Sequence, residues 1–277
     1  MKGVSPRLVA TDLDGTLVRT DGTISDRTRA ALRTVEEAGS VLVLVTGRPP
    51  RWMHPVVEAT GHRGLAVCAN GALVYDLHTE RVVRSYALDA GAAAQVVASL
   101  RRDLPGITFA VEKGPVDGVP SGFGREAAYR ARWDNGEVEV APVSELVAGG
   151  VVKLLARHAD LSSDDLLAAA RSSLRGLAEA THSSADGLLE ISASGISKAS
   201  GLASLADEHG VEAADVVAFG DMPNDLPMLA WAGHGVAVEN AHAEVLAAAD
   251  EVTRSNDDDG VAVVLERLFG VQRLLWG

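Results

Sequence analysis

The sequence contains one cysteine in 277 residues, Cys68, so no disulfide can close within the chain and no stapled secreted scaffold is indicated. Set in the apolar run GLAVCANGALV, that thiol reads as a small buried hydrophobe. Aromatic residues are 4% of the chain against 47% hydrophobic residues, which predicts an aliphatic core of Ala, Val and Leu. No apolar stretch reaches the roughly 18 charge-free residues that span a bilayer, and the opening MKGVSPRLVATDLDG lacks the apolar run of a secretory leader. No membrane association is therefore expected, and the expected location is cytoplasmic. A run of Lys and Arg is missing too: 25 basic residues stand against 38 acidic ones, a formal net charge of −13. That balance argues against nucleic acid as a partner; LRRDLP at 100–105, the densest basic stretch, reads as a helix end. An anionic ligand would have to be held by local groups and not by the overall field.

What is present alternates. RLVATDL reads as a buried strand, SDRTRAALRTVEEAG as a helix capped at Ser25 or Asp26 and stopped at Gly39, SVLVLVTG as a second strand, PRWMHPVVEATG as a helix and GLAVCANGALVYD as a third strand or a strand pair. Apolar strands alternating with amphipathic helices predict an α/β class with a parallel sheet. Residues 83–189 break that rhythm. They combine a helix (AGAAAQVVASLRRDL), alternating strands (ITFAVEKG, GEVEVAP, VVKLLARH), a Gly/Pro-rich stretch and a second helix, and they predict a separate α+β module. The earlier rhythm then returns with SKASGLASLADEHG, DVVAFGD, NDLPMLAWAG, HGVAVEN and a closing helix GVAVVLERLFG. The expected organisation is thus a core of residues 1–82 and 190–277 with an inserted domain at 83–189.

In an open α/β sheet, ligands bind beyond the carboxyl ends of the strands. Strand one ends in Asp12-Leu13-Asp14-Gly15-Thr16, strand two in Thr46-Gly47-Arg48, and DVVAFGD in Gly220-Asp221, followed by Asn224 and Asp225. Lys198 opens a helix between them. Singly, each reads as a turn or a surface lysine; together they put four polar clusters on one sheet edge. These residue types suit phosphoryl transfer through an aspartate. Asp12 can attack phosphorus to form an acyl phosphate. Asp12 and Asp221, with a backbone carbonyl, are hard oxygen ligands for Mg2+. Thr46 and Gly47 can hold phosphate oxygens, Lys198 can neutralise phosphate and carboxylate together, and Asp14 can move the proton to the leaving group.

The ordered set DLDGTL (12–17), TGR (46–48), Lys198 in SKASGL and GDMPND (220–225) resembles the haloacid dehalogenase superfamily, in its Cof-type branch, and the likeness extends over essentially the whole chain. That resemblance implies a Rossmann-like core with an α/β cap of the C2B type inserted between the second and third motifs. It implies Asp12 as nucleophile and Asp14 as acid/base. Mg2+ would be held by Asp12, the backbone carbonyl of Asp14 and Asp221, and phosphate by the Leu13 N–H, Thr46, Gly47, Lys198 and Asn224. Asp225 would orient Lys198 or a metal-bound water. VRTDGTIS would be a hairpin turning at Asp21-Gly22.

Several further residues carry two readings. SNDDDG at 255–260 looks like a calcium loop but lacks its spaced ligands, and reads better as a solvated cap on the last helix. His54 and His182 suit surface or core positions better than a cleft. Asn70 ends the third strand at the same sheet edge and is a candidate to touch the site. Arg125 and Trp133, in SGFGREAAYRARWD, are candidates for contact with a leaving group, or ordinary loop residues. The function expected is hydrolysis of small phosphomonoesters, sugar phosphates or related metabolites, by a monomer or small homo-oligomer. The alternatives are a phosphomutase and a non-catalytic phosphate-binding module.

Overall fold

The computed structural model describes residues 5–131 and 138–270. Its elements run β1 (Leu8–Thr11), α1 (Asp26–Glu37), β2 (Val41–Val45), α2 (His54–Thr60), β3 (Leu65–Cys68), β4 (Leu73–Asp76), β5 (Arg81–Ser85), α3 (Ala90–Asp103), β6 (Thr108–Lys113), β7 (Phe123–Arg125), β8 (Val138–Val140), α4 (Val143–Leu146), β9 (Val151–Arg157), α5 (Ser163–Leu174), β10 (Ala178–Thr181), β11 (Leu188–Ala193), α6 (Lys198–Glu208), β12 (Val216–Gly220), α7 (Leu226–Trp231), β13 (His234–Ala237), α8 (Ala243–Ala248), β14 (Glu251–Val252) and α9 (Gly260–Leu268). The chain divides into two compact units. One holds residues 1–46, 52–67 and 198–277, the other residues 47–51 and 68–197.

The first unit is built on parallel strands in the order β14-β13-β12-β1-β2-β3. Helices cover such a sheet on both faces, so its strands need apolar residues at every position. β1 (LVAT) is buried throughout, and so is β12 (VVAFG). Each buried Val or Leu contributes about 1.5–3 kcal/mol from area removed from water. α1 starts where the sequence predicts: the Ser25 hydroxyl accepts from the Thr28 N–H at 3.0 Å, and Gly39 at φ +77° ends it. Order β12-β1-β2 reverses direction of travel at β1, so the loops after β1 and β12 open at a switch point where sheet folds bind ligands.

The second unit holds the antiparallel β4–β5 pair and a six-stranded sheet in the order β10-β11-β9-β6-β7-β8. Its strands alternate. Phe109, Val111, Leu154, Ala156, Leu189 and Ile191 form one core with residues of α3 and α5. The opposite face carries Glu112, Lys153 and Glu190, which are buried as well. β5 and β7 were not expected: RVVRS sets its two valines side by side with no alternation, and FGR lies in the Gly/Pro-rich stretch. β11 continues the second sheet to Ala193, past residue 189.

The acidic loop before α9 has a different task from the expected one. Asp259 stands at the N-cap position, φ +59°, but makes no capping bond. It pairs with Arg19 at 2.7 Å, while Asp257 accepts from the Thr20 N–H and hydroxyl and Asn256 Nδ2 donates to the Val18 carbonyl. The loop thus holds the base of the Arg19–Thr23 turn, which closes through Arg19 N–H to the Thr23 carbonyl at 2.9 Å and has Gly22 at φ +82°. Among the described residues no helix is long and apolar enough to cross a membrane.

Candidate active site

Asp12 is the first residue past β1. Its N–H donates to the Phe219 carbonyl on β12 at 3.0 Å, so the sheet itself sets its position. Its side chain is 5% exposed. The chain then wraps on itself: the Leu13 carbonyl accepts from the N–H groups of Thr16, Leu17 and Val18. Leu13 is buried, Asp14 is exposed and Gly15 adopts φ +82°. The two aspartates of DLDG therefore occupy different environments, one desolvated at the strand end and one at the surface.

Three elements converge on Asp12 within the first unit. Lys198, first residue of α6 and 1% exposed, places Nζ 2.5 Å from Asp12 Oδ1 and 2.6 Å from Asp225 Oδ1. Asp225 Oδ2 accepts from the N–H groups of Asp221 (3.1 Å) and Met222 (3.0 Å). Asp221 Oδ1 accepts from the Thr16 hydroxyl at 2.9 Å, and its other oxygen lies where a Cβ on residue 15 would stand at 2.3 Å. Only glycine fits at 15, for that reason and because of its left-handed backbone. Asn240 Nδ2 fixes the Gly15 carbonyl at 2.8 Å.

The electrostatics are unbalanced. Asp12, Asp221 and Asp225 offer oxygens within 4.8 Å of one another, all buried, against the single charge of Lys198. Burial, and after it the neighbouring carboxylates working against Lys198, raises the Asp12 carboxyl well above its usual value. Burial and Asp225 push Asp221 up to about 7. Burial acts to lower the Lys198 ammonium, but Asp12 and Asp225 outweigh it and raise it, so it stays charged. Two hard carboxylates that are costly to ionise together, beside a glycine that clears the space, fit a small divalent cation such as Mg2+. Asp225 belongs to the cluster by distance, yet its oxygens are committed to Lys198 and two backbone amides.

Thr46, at the end of β2, is buried and its N–H donates to the Val67 carbonyl at 2.8 Å. Asn224 is buried in the turn before α7. Leu13, Thr46, Lys198 and Asn224 all fall in the first unit; Gly47, the next residue after Thr46, is grouped with the second. The remaining candidates part from one another. Asn70 is buried and donates to Glu190 Oε2 at 2.9 Å. Arg125 turns its head to the carbonyls of Glu126 and Tyr129. Trp133 lies outside the described residues. His54 is a surface residue near Glu58, and His182 is buried beside Asp164. Sequence reasoning missed the task of Thr16 and Gly15 around Asp221, although both stand in the quoted motif, and missed Asn240, which nothing in its own neighbourhood marks.

A model of the haloacid dehalogenase-like hydrolases matches residues 9–265. The chain belongs to that family. As a haloacid dehalogenase-like hydrolase it is 31% identical over 267 residues to the pyridoxal phosphate phosphatase YbhA of Escherichia coli, with 94% of this chain and 97% of the relative covered. It is 29% identical to the 5-amino-6-(5-phospho-D-ribitylamino)uracil phosphatase YwtE of Bacillus subtilis, covering 96% and 99%. In three dimensions it is similar to a phosphatase of the superfamily from Bacteroides thetaiotaomicron, with TM-score 0.76, 25% identity and coverage of 98% and 100%. The fold is that of the family: α/β, with a Rossmann-like parallel core sheet and an additional α+β cap.

Proposed function

We propose that this hydrolase is a Mg2+-dependent phosphatase of small phosphorylated metabolites, working through an aspartyl phosphate on Asp12. The observation that carries the reading is the buried Asp12–Lys198–Asp225 chain beside Asp221, with Asp14 exposed two residues from Asp12. The sheet holds the Asp12 N–H and Lys198 holds its Oδ1, so the carboxylate is oriented before substrate arrives. The metal, held by Asp12, Asp221 and the Asp14 carbonyl, would offset the repulsion between the attacking carboxylate and the phosphate. Asp12 forms the new P–O bond as the ester P–O bond breaks. Asp14, exposed at the surface, gives a proton to the departing alkoxide. It then takes one from the water that attacks phosphorus and frees Asp12. The Leu13 and Gly47 N–H groups, the Thr46 hydroxyl, Asn224 and Lys198 would hold the phosphate oxygens.

The relatives named above act on a pyridoxal phosphate and on a phosphoribityl compound, which supports a substrate with a phosphorylated sugar-like or ring-bearing group. In this reading residues 83–189 are the cap that selects the leaving group, with Arg125 and Trp133 as its candidate contacts and Asn70 as a further candidate outside it. Of these, Arg125 has the weakest support, because its guanidinium serves its own turn. A phosphate-release screen over phosphorylated metabolites with Mg2+ tests the reading. Turnover of several metabolites, lost in EDTA and regained with Mg2+, is expected. No turnover by the metal-loaded protein on any of them would overturn it, and a requirement for a bisphosphate activator would make it a mutase.

A further inference from the structure

The second unit contains buried charges that the proposed chemistry does not use. Glu112 on β6, Lys153 on β9 and Glu190 on β11 are each under 5% exposed. Glu112 pairs in register with Lys153; Glu190 faces Leu155, two residues along the same side of β9. Charges so buried persist only with partners. Glu112 takes both arms of the Arg51 guanidinium. Lys153 Nζ donates to Glu190 Oε2 at 2.6 Å and to the Gly47 carbonyl at 2.6 Å. Glu190 also accepts from Asn70 Nδ2 at 2.9 Å and from the Ser183 hydroxyl. Arg51 and Gly47 are the two ends of segment 47–51, which the sheet therefore grips at both.

Asn70 sits in a left-handed turn. Ala69 and Asn70 have φ of +51° and +56°, followed by Gly71 at +98°. Asn tolerates that region, but Ala persists there only where the surroundings over-determine it. The turn aims the Ala69 N–H at the Arg48 carbonyl, 3.0 Å away. Consecutive carbonyls, of Gly47 and Arg48, are thus each held by one donor. On the other side, the Thr46 N–H is fixed to Val67. The peptide plane between these fixed neighbours is the one that carries the Gly47 N–H. Gly47 has no room for a side chain either: a Cβ would stand 3.1 Å from Asn70 Oδ1 and 3.3 Å from Glu190 Oε2.

We infer that Lys153, Glu190 and Asn70 are positioning residues that fix the Gly47–Arg48 backbone, and through it the Gly47 N–H, for holding a phosphate group. The inference rests on the phosphatase reading, which gives Gly47 that task. A charged donor suits the role, because its bond to a buried carbonyl is about twice as strong as a neutral one.

The test is steady-state kinetics with p-nitrophenyl phosphate and Mg2+, with inorganic phosphate as competing inhibitor, on variants shown by circular dichroism to be folded. In Lys153→Met, KM and the phosphate inhibition constant should rise together, by about tenfold, the scale of one charge-assisted hydrogen bond. Turnover number should stay within about threefold, since binding is lost equally in ground and transition states. The double variant Lys153→Met/Glu190→Gln removes the unpaired buried carboxylate, so its melting temperature should recover while KM and the inhibition constant stay raised. If Lys153→Met does not fold, the double variant carries the kinetic test. Wild-type constants in a folded Lys153→Met, or recovery of both constants in the double variant, would overturn the inference. If the wild type releases no phosphate at all, the phosphatase reading fails instead. Calorimetric titration with inorganic phosphate then decides the cluster: weakened binding in the variants upholds it, and equal binding overturns it.

Discussion

Both units bury charge, and they do so in opposite ways. In the second, Lys153 meets Glu190 and Arg51 meets Glu112. In the first, Asp12 and Asp225 share Lys198, with Asp221 close beside them. A balanced buried pair roughly offsets its own desolvation and needs nothing more. An unbalanced set remains costly, and the cost is visible in Asp12 and Asp221, both raised in pKa. Charge that a fold leaves uncompensated in its interior is charge kept for a ligand. By that criterion the attacking and metal-holding groups of the proposed chemistry lie in the first unit, while in the second Lys153 bonds a backbone carbonyl.

The largest effects should come from the unbalanced set. Asp12→Asn replaces the attacking oxygen and should lower turnover by roughly 10⁴-fold or more, as loss of a covalent nucleophile does elsewhere. Asp14→Asn should cost about 10²–10⁴-fold on an alkyl phosphate, the usual range for general acid–base help. An aryl phosphate needs little protonation of its leaving group, so Asp14→Asn should still accept its phosphoryl group. Intact mass after rapid quenching should show one added phosphoryl group on Asp14→Asn and none on Asp12→Asn. An adduct on the Asp12 variant would remove it as nucleophile.

Next comes the lysine the acids share. Lys198→Met leaves Asp12 and Asp225 buried without their cation, a change that typically costs 3–5 kcal/mol. The variant should melt well below wild type in EDTA and regain part of the difference with Mg2+. Lys153→Met breaks a balanced pair, so no such metal rescue is expected there. Equal rescue of both variants by Mg2+ would erase the distinction between the two units.

The sequence showed the strand ends, and with them Asp12, Asp14, Thr46 and Asp221, because long apolar runs stop at those residues; Lys198 stood out at the start of a helix. It did not show that segment 47–51 is gripped by β6 and β9. That depends on Arg51–Glu112 and Lys153–Gly47, pairings across about 60 and 106 residues that no local pattern encodes. A signal was available in the single charges inside VVKLLA and LLEIS, which a strand packed on both faces carries only when a partner waits. The positive φ of Asn70 was signalled by the Asn70-Gly71 dipeptide, but that of Ala69 left no trace.

A third effect follows from Asp221. Its carboxyl titrates near 3.8 ordinarily and near 7 in the folded, metal-free protein. Between those values the folded state binds more protons than the unfolded one, so stability falls as pH rises through the window and levels off above 7. In the proposed function Mg2+ would bind the ionised form and offset that loss. The rise in melting temperature on adding Mg2+ should therefore be small at pH 5 and larger at pH 8. A rise that is the same at both pH values would mean that Asp221 takes no part in holding the metal.

The smallest effect belongs to the ion pair at the base of the Arg19–Thr23 turn. Asp259 is paired with Arg19 and accepts weakly from the Thr28 hydroxyl at 3.3 Å. Burial works to raise its carboxyl, but the bond from Arg19 and its charge outweigh burial and lower it. A depressed carboxyl contributes stability above its unfolded value near 3.8, and the contribution is lost as pH falls through the lower folded value. Asp259→Asn keeps a residue that tolerates φ +59° and one acceptor oxygen, so the variant isolates the charge. Partly exposed pairs contribute up to about 1 kcal/mol, which for a chain of this size means a fall of about 2–4 °C in melting temperature at pH 7. The difference from wild type should shrink below pH 4, where the wild-type carboxyl also loses its charge. Turnover should not change, because neither Asp259 nor Arg19 touches Asp12, Asp221 or Lys198 in any bond described above. A turnover loss with the melting temperature intact would show instead that the turn is part of the reaction, and the acidic loop would then have to be counted with the unbalanced charges and not with the structural ones.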